Sequence, residues 1–471
     1  MNKHLVIISL GRLSQMIIMF LTYRVLSSVL SVPDMGVYYF LLSISAAFGL
    51  IYANPIGMYA NRMLHSWKEH GVLLRNLKTI VISLLVGSLL TIPFLFVFKQ
   101  KISGEENQWA LIVSTLVLYV FASTLNGTLI PGLNLLGFTN QFVLWTLFTN
   151  IVGLFLSYLL VIFVSSQPLY WLIGQGISFL IFGLLAYIIL RRNIVDTNGL
   201  NQSLSLNGLK RVAKFGLPIV VTNLAVWVLG QSFRFFYKAN VDSTILGELV
   251  FGLGLATSLS VAIEYLFQQL YFPEFYSKIN DRKQDKSLIW NKLLNKLIPS
   301  YVYFTAFLIG LSPFLMRVLA DVKFKKSAYF LALGACVEFL RMLGNIFTMA
   351  TQSEMKTHKA IGPYLSGGFI ALFGVLFICQ HSEFVNYTPY ALMAGYLTSL
   401  IFLAYNVGKL MKIDISLGPL VKCLVTSFVF LTALFFKNYS DSLIFSLSIN
   451  TIFGVVLLFF LYRSYLNQIE V

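Results

Sequence analysis

Apolar residues run in unbroken stretches of about twenty along this 471-residue chain, with short polar segments between them. A helix rises 1.5 Å per residue, so about twenty residues cross a hydrocarbon core of ~30 Å. The runs predict fourteen transmembrane helices, near 5–30, 36–61, 74–98, 109–133, 139–164, 168–190, 212–237, 245–271, 297–320, 327–351, 359–380, 387–408, 417–436 and 442–463. A membrane barrel would alternate apolar and polar residues in segments of about ten, and these runs do not. The expected fold class is an all-α integral membrane protein.

Two longer polar stretches punctuate the pattern. The first, 191–210, carries Asp196, Asn198, Gly199, Asn201 and Gln202 and reads as a cytoplasmic linker. It divides the chain into an N-terminal six-helix lobe (1–190), the linker (191–210), a C-terminal six-helix lobe (211–412) and two additional transmembrane helices (413–471). The second, 277–291, is a charge run expected to be a solvated loop. Neither could hold a soluble catalytic domain. The halves open alike: Arg24 precedes Gly36-Val37-Tyr38, and Arg234 precedes Gly247-Glu248-Leu249. In transporters, interfaces between such repeats hold the substrate path near the bilayer midplane.

Composition agrees with this layout. Hydrophobic residues make up 58% and charged residues 11%, against roughly 25% charged in soluble domains. The net charge of +16 is spent on topology and does not indicate nucleic acid. With the N-terminus inside, 21 of the 34 Lys and Arg fall in inner segments and 8 in outer ones, leaving Arg12, Arg24, Arg234, Arg341 and Lys422 within spans. The bias favours both termini in the cytoplasm; the outer cluster Lys323, Lys325 and Lys326 runs against it. The first apolar stretch, broken by Arg12 and Gln15, reads as a span and not as a cleaved signal. Cys336, Cys379 and Cys423 are isolated, so neither a disulfide framework nor a metal site is expected. Gly252-Leu253-Gly254 lies inside a span and is no nucleotide loop. No catalytic residues and no cofactor are expected, and the chain does not read as an enzyme.

Ionisable residues at membrane depth cost about 2.5–3.5 kcal/mol each on insertion scales, so they face protein or water. The candidates are Arg12, Arg24, Arg234, Glu264, Glu338 and Arg341, with Arg62 at the inner end of the second span. Arg24, Arg62 and Arg234 lie close enough to an interface to snorkel. Glu338 and Arg341 are three apart on one helix and can neutralise each other. Glu264 has no opposite charge within four positions, so it is either a lone titratable carboxyl or the partner of an Arg on another helix. Arginine in excess suits phosphate oxygens, because its fork of donors stays charged when desolvated. Arg12, Arg24, Arg62, Arg234 and Arg341 are therefore candidate substrate ligands, and Glu264 and Glu338 candidate ion-coupling groups. Trp227, Tyr237 and Tyr265 are placed to stack on sugar rings. Pro55, Pro93, Pro131, Pro218, Pro273 and Pro313 interrupt spans and permit kinks.

Two regions carry a family resemblance. One is Tyr23-Arg24-Val25-Leu26, then Asp34-Met35-Gly36-Val37-Tyr38, Gly57 and Asn61-Arg62. The other is Phe215-Gly216-Leu217-Pro218, Trp227, Arg234, Gly247 and Phe272-Pro273-Glu274. In these the chain resembles the Wzx-type flippases of lipid-linked oligosaccharides. They form part of the polysaccharide transporter group of the multidrug/oligosaccharidyl-lipid/polysaccharide exporter superfamily. Leu249 departs from the aromatic that the family often shows after the glycine. The resemblance implies two six-helix lobes (MATE-like) around a cationic cavity, with two further C-terminal helices. It implies export of undecaprenyl-pyrophosphate-linked oligosaccharide across the bacterial inner membrane, for O-antigen of lipopolysaccharide, capsule or a related polymer. Alternating access would be coupled to a proton or sodium gradient, with the polymerase and chain-length proteins of the pathway as partners. Arg24, Arg62 and Arg234 match family-typical positions; Arg12, Arg341, Glu264 and Glu338 rest on burial alone. A multidrug/cation antiporter of the same superfamily, a lipid II flippase and an integral polysaccharide polymerase are the alternatives.

Overall fold

A computed structural model describes residues 3–97, 99, 108–194, 206–240, 242–279, 285–354 and 356–466. Among them every regular element is a helix. In chain order these are α1 (Lys3–Val29), α2 (Val32–Phe48), α3 (Asn54–Glu69), α4 (Leu73–Leu89), α5 (Thr91–Val97), α6 (Trp109–Leu135), α7 (Thr139–Phe163), α8 (Pro168–Asn193) and α9 (Leu206–Gln231). They continue with α10 (Phe233–Asn240), α11 (Ser243–Ile279), α12 (Lys286–Leu319), α13 (Ser327–Ser353), α14 (Ile361–Cys379), α15 (Thr388–Gly408), α16 (Leu417–Leu431) and α17 (Leu443–Leu466). Twelve segments of the described residues are long and apolar enough to cross a membrane. Of the other two expected spans, 5–30 coincides with α1, and 212–237 is divided between α9, whose described apolar part is Gly216–Gln231, and α10.

Three helix boundaries differ from expectation, for one reason: hydropathy marks where a helix leaves the hydrocarbon, not where it ends. The second span continues to Glu69, past the expected end at 61, and its last turns carry Arg62, Lys68 and Glu69. α11 runs on to Ile279. α12 starts at Lys286, so 277–279 and 286–291 of the expected 277–291 loop are helical; Asp285 caps α12 by accepting from the Ser287 N–H at 2.8 Å. Residues 195–205 of the expected linker, and 280–284, lie outside the described residues.

The chain divides into two compact units, one of 1–30 with 37–227, the other of 31–36 with 228–471. In the first, α6 packs on α7 and α8, and α1 lies along α7. Hydrophobicity does not draw helices together in lipid, so small residues and interhelical hydrogen bonds do. Gly174 brings α8 against the Ser157 backbone. Ser157 donates to the Trp171 carbonyl at 2.8 Å, and Ser178 to the Thr149 carbonyl at 2.7 Å.

Between α2 and α3 the helix widens into a π turn, Gly49–Ala53. Pro55 has no N–H for the Ile51 carbonyl, and a π turn is one way a helix absorbs such a loss. The side-chain amide of Asn223 donates to the Leu50 carbonyl at 2.7 Å, and Tyr52 donates to the Ser83 carbonyl at 2.8 Å.

In the second unit α13 packs on α11, α12 and α15, while α16 and α17 pack on α12. Segments assigned to one membrane side meet one another. Lys286 lies 3.5 Å from Glu354, and Asn291 donates to the Lys412 carbonyl at 2.8 Å. On the other side Lys325 pairs with Asp441 at 2.6 Å, and Arg317 donates to the Asp441 carbonyl at 2.8 Å. One lysine of the cluster that strains the loop-charge rule is thus neutralised within the protein.

The glycines matched between the two halves meet in this unit. A Cβ on Gly36 would stand 3.4 Å from the Ser243 carbonyl oxygen, and one on Gly247 would collide with the Val32 carbonyl. The start of α2 therefore crosses the start of α11 at backbone distance. Gly247→Ala should destabilise the protein by about 1–3 kcal/mol, as overpacking does. Gly454→Ala, whose Cβ would meet nothing within 4 Å, should not. Thermal unfolding of detergent-solubilised protein distinguishes them; equal melting of Gly247→Ala and the unaltered chain would refute the close crossing.

Candidate functional site

Three of the intramembrane charges form one buried cluster. Glu264 projects from α11, and Glu338 and Arg341 from α13. Arg341 Nη2 is 2.6 Å from Glu264 Oε2, and Arg341 Nε is 2.5 Å from Glu338 Oε2. Both carboxylates are about nine-tenths buried. Glu338 stands eleven residues into α13, roughly 16 Å along the helix axis and so deep in the bilayer.

Neutral groups complete the shell. Asn345 donates to Glu264 Oε1 at 2.9 Å, and the Thr257 hydroxyl donates to Glu338 Oε1 at 2.7 Å. Tyr301, Tyr364 and Tyr396 stand within electrostatic reach of the charges, and Tyr364 shares a hydrogen bond of 3.0 Å with Thr348. With all three groups ionised the cluster carries one net negative charge.

This arrangement resolves the alternatives left open for Glu264: it is no lone carboxyl but the partner of an arginine on another helix. The Glu338–Arg341 pair forms as its spacing predicts. Arg341, expected as a candidate substrate ligand, is held between two carboxylates of the protein. Thr257 and Asn345 were not anticipated, although the signal was present. Thr257 is seven residues before Glu264, and Asn345 is seven after Glu338, so each lies on the charged face of its helix.

The other candidates lie elsewhere. Arg12, on α1, donates to Gln15 Oε1 at 2.8 Å, and its guanidinium stands 5.9 Å from the centre of the Phe142 ring. It lines a small crevice against α7 with Gly11, Phe142 and Thr146. Arg24 is half-buried, three helical turns further along α1, and Arg62 is exposed on α3. These three belong to the first unit. Arg234 belongs to the second, buried on α10 with its guanidinium 5.5 Å from the Phe233 ring centre.

The aromatics fare unevenly. Tyr237 is fully buried, 2.7 Å from the Thr388 hydroxyl, and so is packed rather than open to a sugar. Trp227 donates its indole N–H to the Ser43 carbonyl at 2.9 Å. Tyr265 remains exposed. At the membrane edge, Asp242 accepts the Thr244 and Ile245 N–H groups at the start of α11, which holds its carboxyl below the ordinary range. The side chains of Pro273 and Glu274 lie outside the described residues.

No protein-family model matches the chain, and no curated protein matches it. Its fold, however, is similar to solved structures. Against the lipid II flippase MurJ in an inward closed conformation the TM-score is 0.67 at 14% identity, over 98% of this chain and 99% of that one. Against a MOP superfamily transporter from Pyrococcus furiosus, described as having a binding pocket of reverse polarity, it is 0.53 at 13% identity, over 86% and 95%. Against a mutant of the Vibrio cholerae MATE transporter VcmN it is 0.54 at 11% identity, over 85% and 93%. The chain is thus a multi-pass helical membrane protein with the fold of the MOP superfamily transporters.

Removing one member of a buried ion pair costs about 3–5 kcal/mol, because the other is left unmatched. Arg341→Ala strands two carboxylates and should lower the melting temperature more than Glu264→Gln, which keeps hydrogen-bonding capacity. Thermal unfolding in detergent checks this; an Arg341→Ala protein as stable as the unaltered chain would show that the cluster does not hold α11 to α13.

Proposed function

We propose that this chain is a flippase that exports undecaprenyl-pyrophosphate-linked oligosaccharides across the bacterial inner membrane by alternating access, with both termini in the cytoplasm. The reading is supported by guanidinium groups on the expected first and seventh spans of a chain that has twelve membrane-length apolar segments among its described residues and the fold of the MOP transporters. Arg12, Arg24 and Arg234 sit on the helices α1 and α10, and a guanidinium fork suits a pyrophosphate. Arg62, at the inner end of the second span, would meet the head group on entry. The products would serve O-antigen, capsule or a related polymer, in concert with the polymerase and chain-length proteins of that pathway.

The Glu264–Arg341–Glu338 cluster is assigned to coupling. Glu338 and Arg341 share α13, so their bond survives any movement of that helix. Glu264 reaches Arg341 from α11, so its bond lasts only while the two helices stay together. A proton or a sodium ion would neutralise the cluster's net negative charge and weaken the hold on α11. An ion gradient would in this way act on the helix arrangement.

A lipid II flippase is the second reading. It is favoured by the likeness to MurJ over nearly the whole of both chains, and it would use the same pyrophosphate chemistry. Proteoliposomes containing either lipid II or an undecaprenyl-pyrophosphate oligosaccharide, with and without a proton or sodium gradient, separate the two. The oligosaccharide lipid should cross faster, and Arg24→Ala/Arg234→Ala should slow it at least tenfold while still inserting. Undiminished transport by the double variant would overturn the phosphate-binding assignment. Preference for lipid II would favour the second reading, and movement of cationic drugs instead would favour an antiporter.

A further inference from the structure

Where α14 gives way to α15, aromatic rings meet in an unbroken series. Phe377, near the end of α14, stands 5.7 Å from His381, centre to centre. His381 is 5.5 Å from Phe384, Phe384 is 6.0 Å from Tyr387, and Tyr387 is 6.2 Å from Tyr390 on α15. Tyr329, in the first turn of α13, joins from the side, its hydroxyl within reach of that of Tyr390. Tyr329, Tyr387 and Tyr390 are each about half exposed, and His381 and Asn386 stand exposed beside them. The rings of Tyr387 and Tyr390 tilt by 43° to one another, so neither covers the other's face. The side chains of Ser382 and Glu383 lie outside the described residues.

The turn that carries these rings, Ser382–Tyr387, is firmly held. Val385 is buried beneath it, and the Thr388 hydroxyl donates to the Val385 carbonyl at 2.6 Å. The same hydroxyl shares its bond of 2.7 Å with the buried Tyr237 of α10. A surface ordered in advance loses little entropy when a partner arrives. Anchoring in the head groups asks only for single rings at span ends. Here rings from the ends of three helices meet one another, with exposed polar side chains among them. Aromatic faces left to water are costly, and a partner that covers them recovers that cost.

The chemistry of the rings selects the partner. None carries a fixed charge, and each tyrosine joins an apolar face to a polar tip. A sugar ring has the complementary form, an apolar C–H face rimmed by hydroxyls. We infer that this aromatic rim binds a neutral oligosaccharide, with sugar rings stacked on Tyr387 and Tyr390 and hydrogen-bonded by Tyr329 and Asn386. The loop charges place the rim on the outer side, where it would hold the sugar chain of the cargo after crossing. That assignment of the cargo rests on the function proposed above.

Saturation-transfer NMR of the full-length protein in detergent tests the site, using the free oligosaccharide released from the test lipid and, separately, a neutral pentapeptide. Irradiation of the aromatic protons should transfer saturation to the C–H protons of the sugar and not to the peptide. Tyr387→Ala/Tyr390→Ala should weaken oligosaccharide binding roughly tenfold, about threefold for each stacked ring. Tyr387→Phe/Tyr390→Phe keeps both faces and should bind like the unaltered chain. Should the Ala pair fail to fold, the exposed single change Tyr329→Ala should still weaken binding several-fold. No transfer to the sugar from the unaltered chain, or undiminished binding by the folded Ala variants, would overturn the site. Transfer to the peptide in preference to the sugar would overturn it in favour of a peptide partner. The measurement needs no transport: lipid export without sugar binding would refute this site alone, and sugar binding without lipid export would refute the proposed function alone.

Discussion

Within hydrocarbon, no water is available to satisfy a polar group, so each one must find its partner inside the protein. The structure follows from that constraint at every scale. Backbone groups are satisfied by helices, and among the described residues no other regular element occurs. Hydroxyls fold back onto carbonyls of their own helices, as Thr149 does on Trp145 and Thr128 on Thr124. Beside the π turn before Pro55, the Asn223 side-chain amide reaches the Leu50 carbonyl. The same constraint explains why Glu264, Glu338 and Arg341 are found together. Each alone would be costly in lipid, and Arg341 satisfies both carboxylates at once.

Close packing is the second consequence. With lipid as apolar as the helices themselves, contact is won by small residues and short polar bonds. In the second unit Gly367 on α14 faces Gly395 on α15, and Gly310 on α12 faces the Phe430 carbonyl on α16. The last two helices are held to α12 by more than shape. Tyr303 shares a hydrogen bond of 2.8 Å with Thr426, and its ring stacks on Phe460 at 4.9 Å. The connector before them is bound by two asparagines one turn apart. Asn291 and Asn295 each donate to one backbone carbonyl, of Lys412 and Asp414, and each accepts one backbone N–H, of Asp414 and Ser416.

These two consequences differ in how far they could be read from sequence. Span positions were legible because each run of twenty apolar residues is a local property: twelve of the fourteen match membrane-length apolar segments, one matches α1, and one is divided between α9 and α10. The ends of α3, α11 and α12 were not legible, since beyond the hydrocarbon a helix can continue on charged residues that look like loop. The Glu338–Arg341 pair was legible because it lies within one turn. The partner of Glu264 was left open because Arg341 is 77 residues away and on another helix, and hydropathy carries no information about which helices touch. The faint match of Gly36 with Gly247 marked a contact whose geometry only coordinates could supply: these glycines lie where α2 crosses α11.

That asymmetry also bears on how the cluster can act. An ion pair confined to one helix stabilises that helix's surface but records nothing about its neighbours. An ion pair between helices is different, because its energy depends on their separation. Of the two carboxylates bound to Arg341, only Glu264 is of the second kind, and Asn345, also on α13, adds a further bond across the same gap. Glu338 has its own donor on α11, Thr257, but that bond links a neutral hydroxyl and is worth less when broken. The charge balance of the site is therefore tied to the α11–α13 contact chiefly through Glu264. Under the proposed coupling, the identity of the ion is secondary to this geometry. Whatever neutralises Glu264 acts on a bond that bridges two helices, while whatever neutralises Glu338 acts mainly on a bond within one.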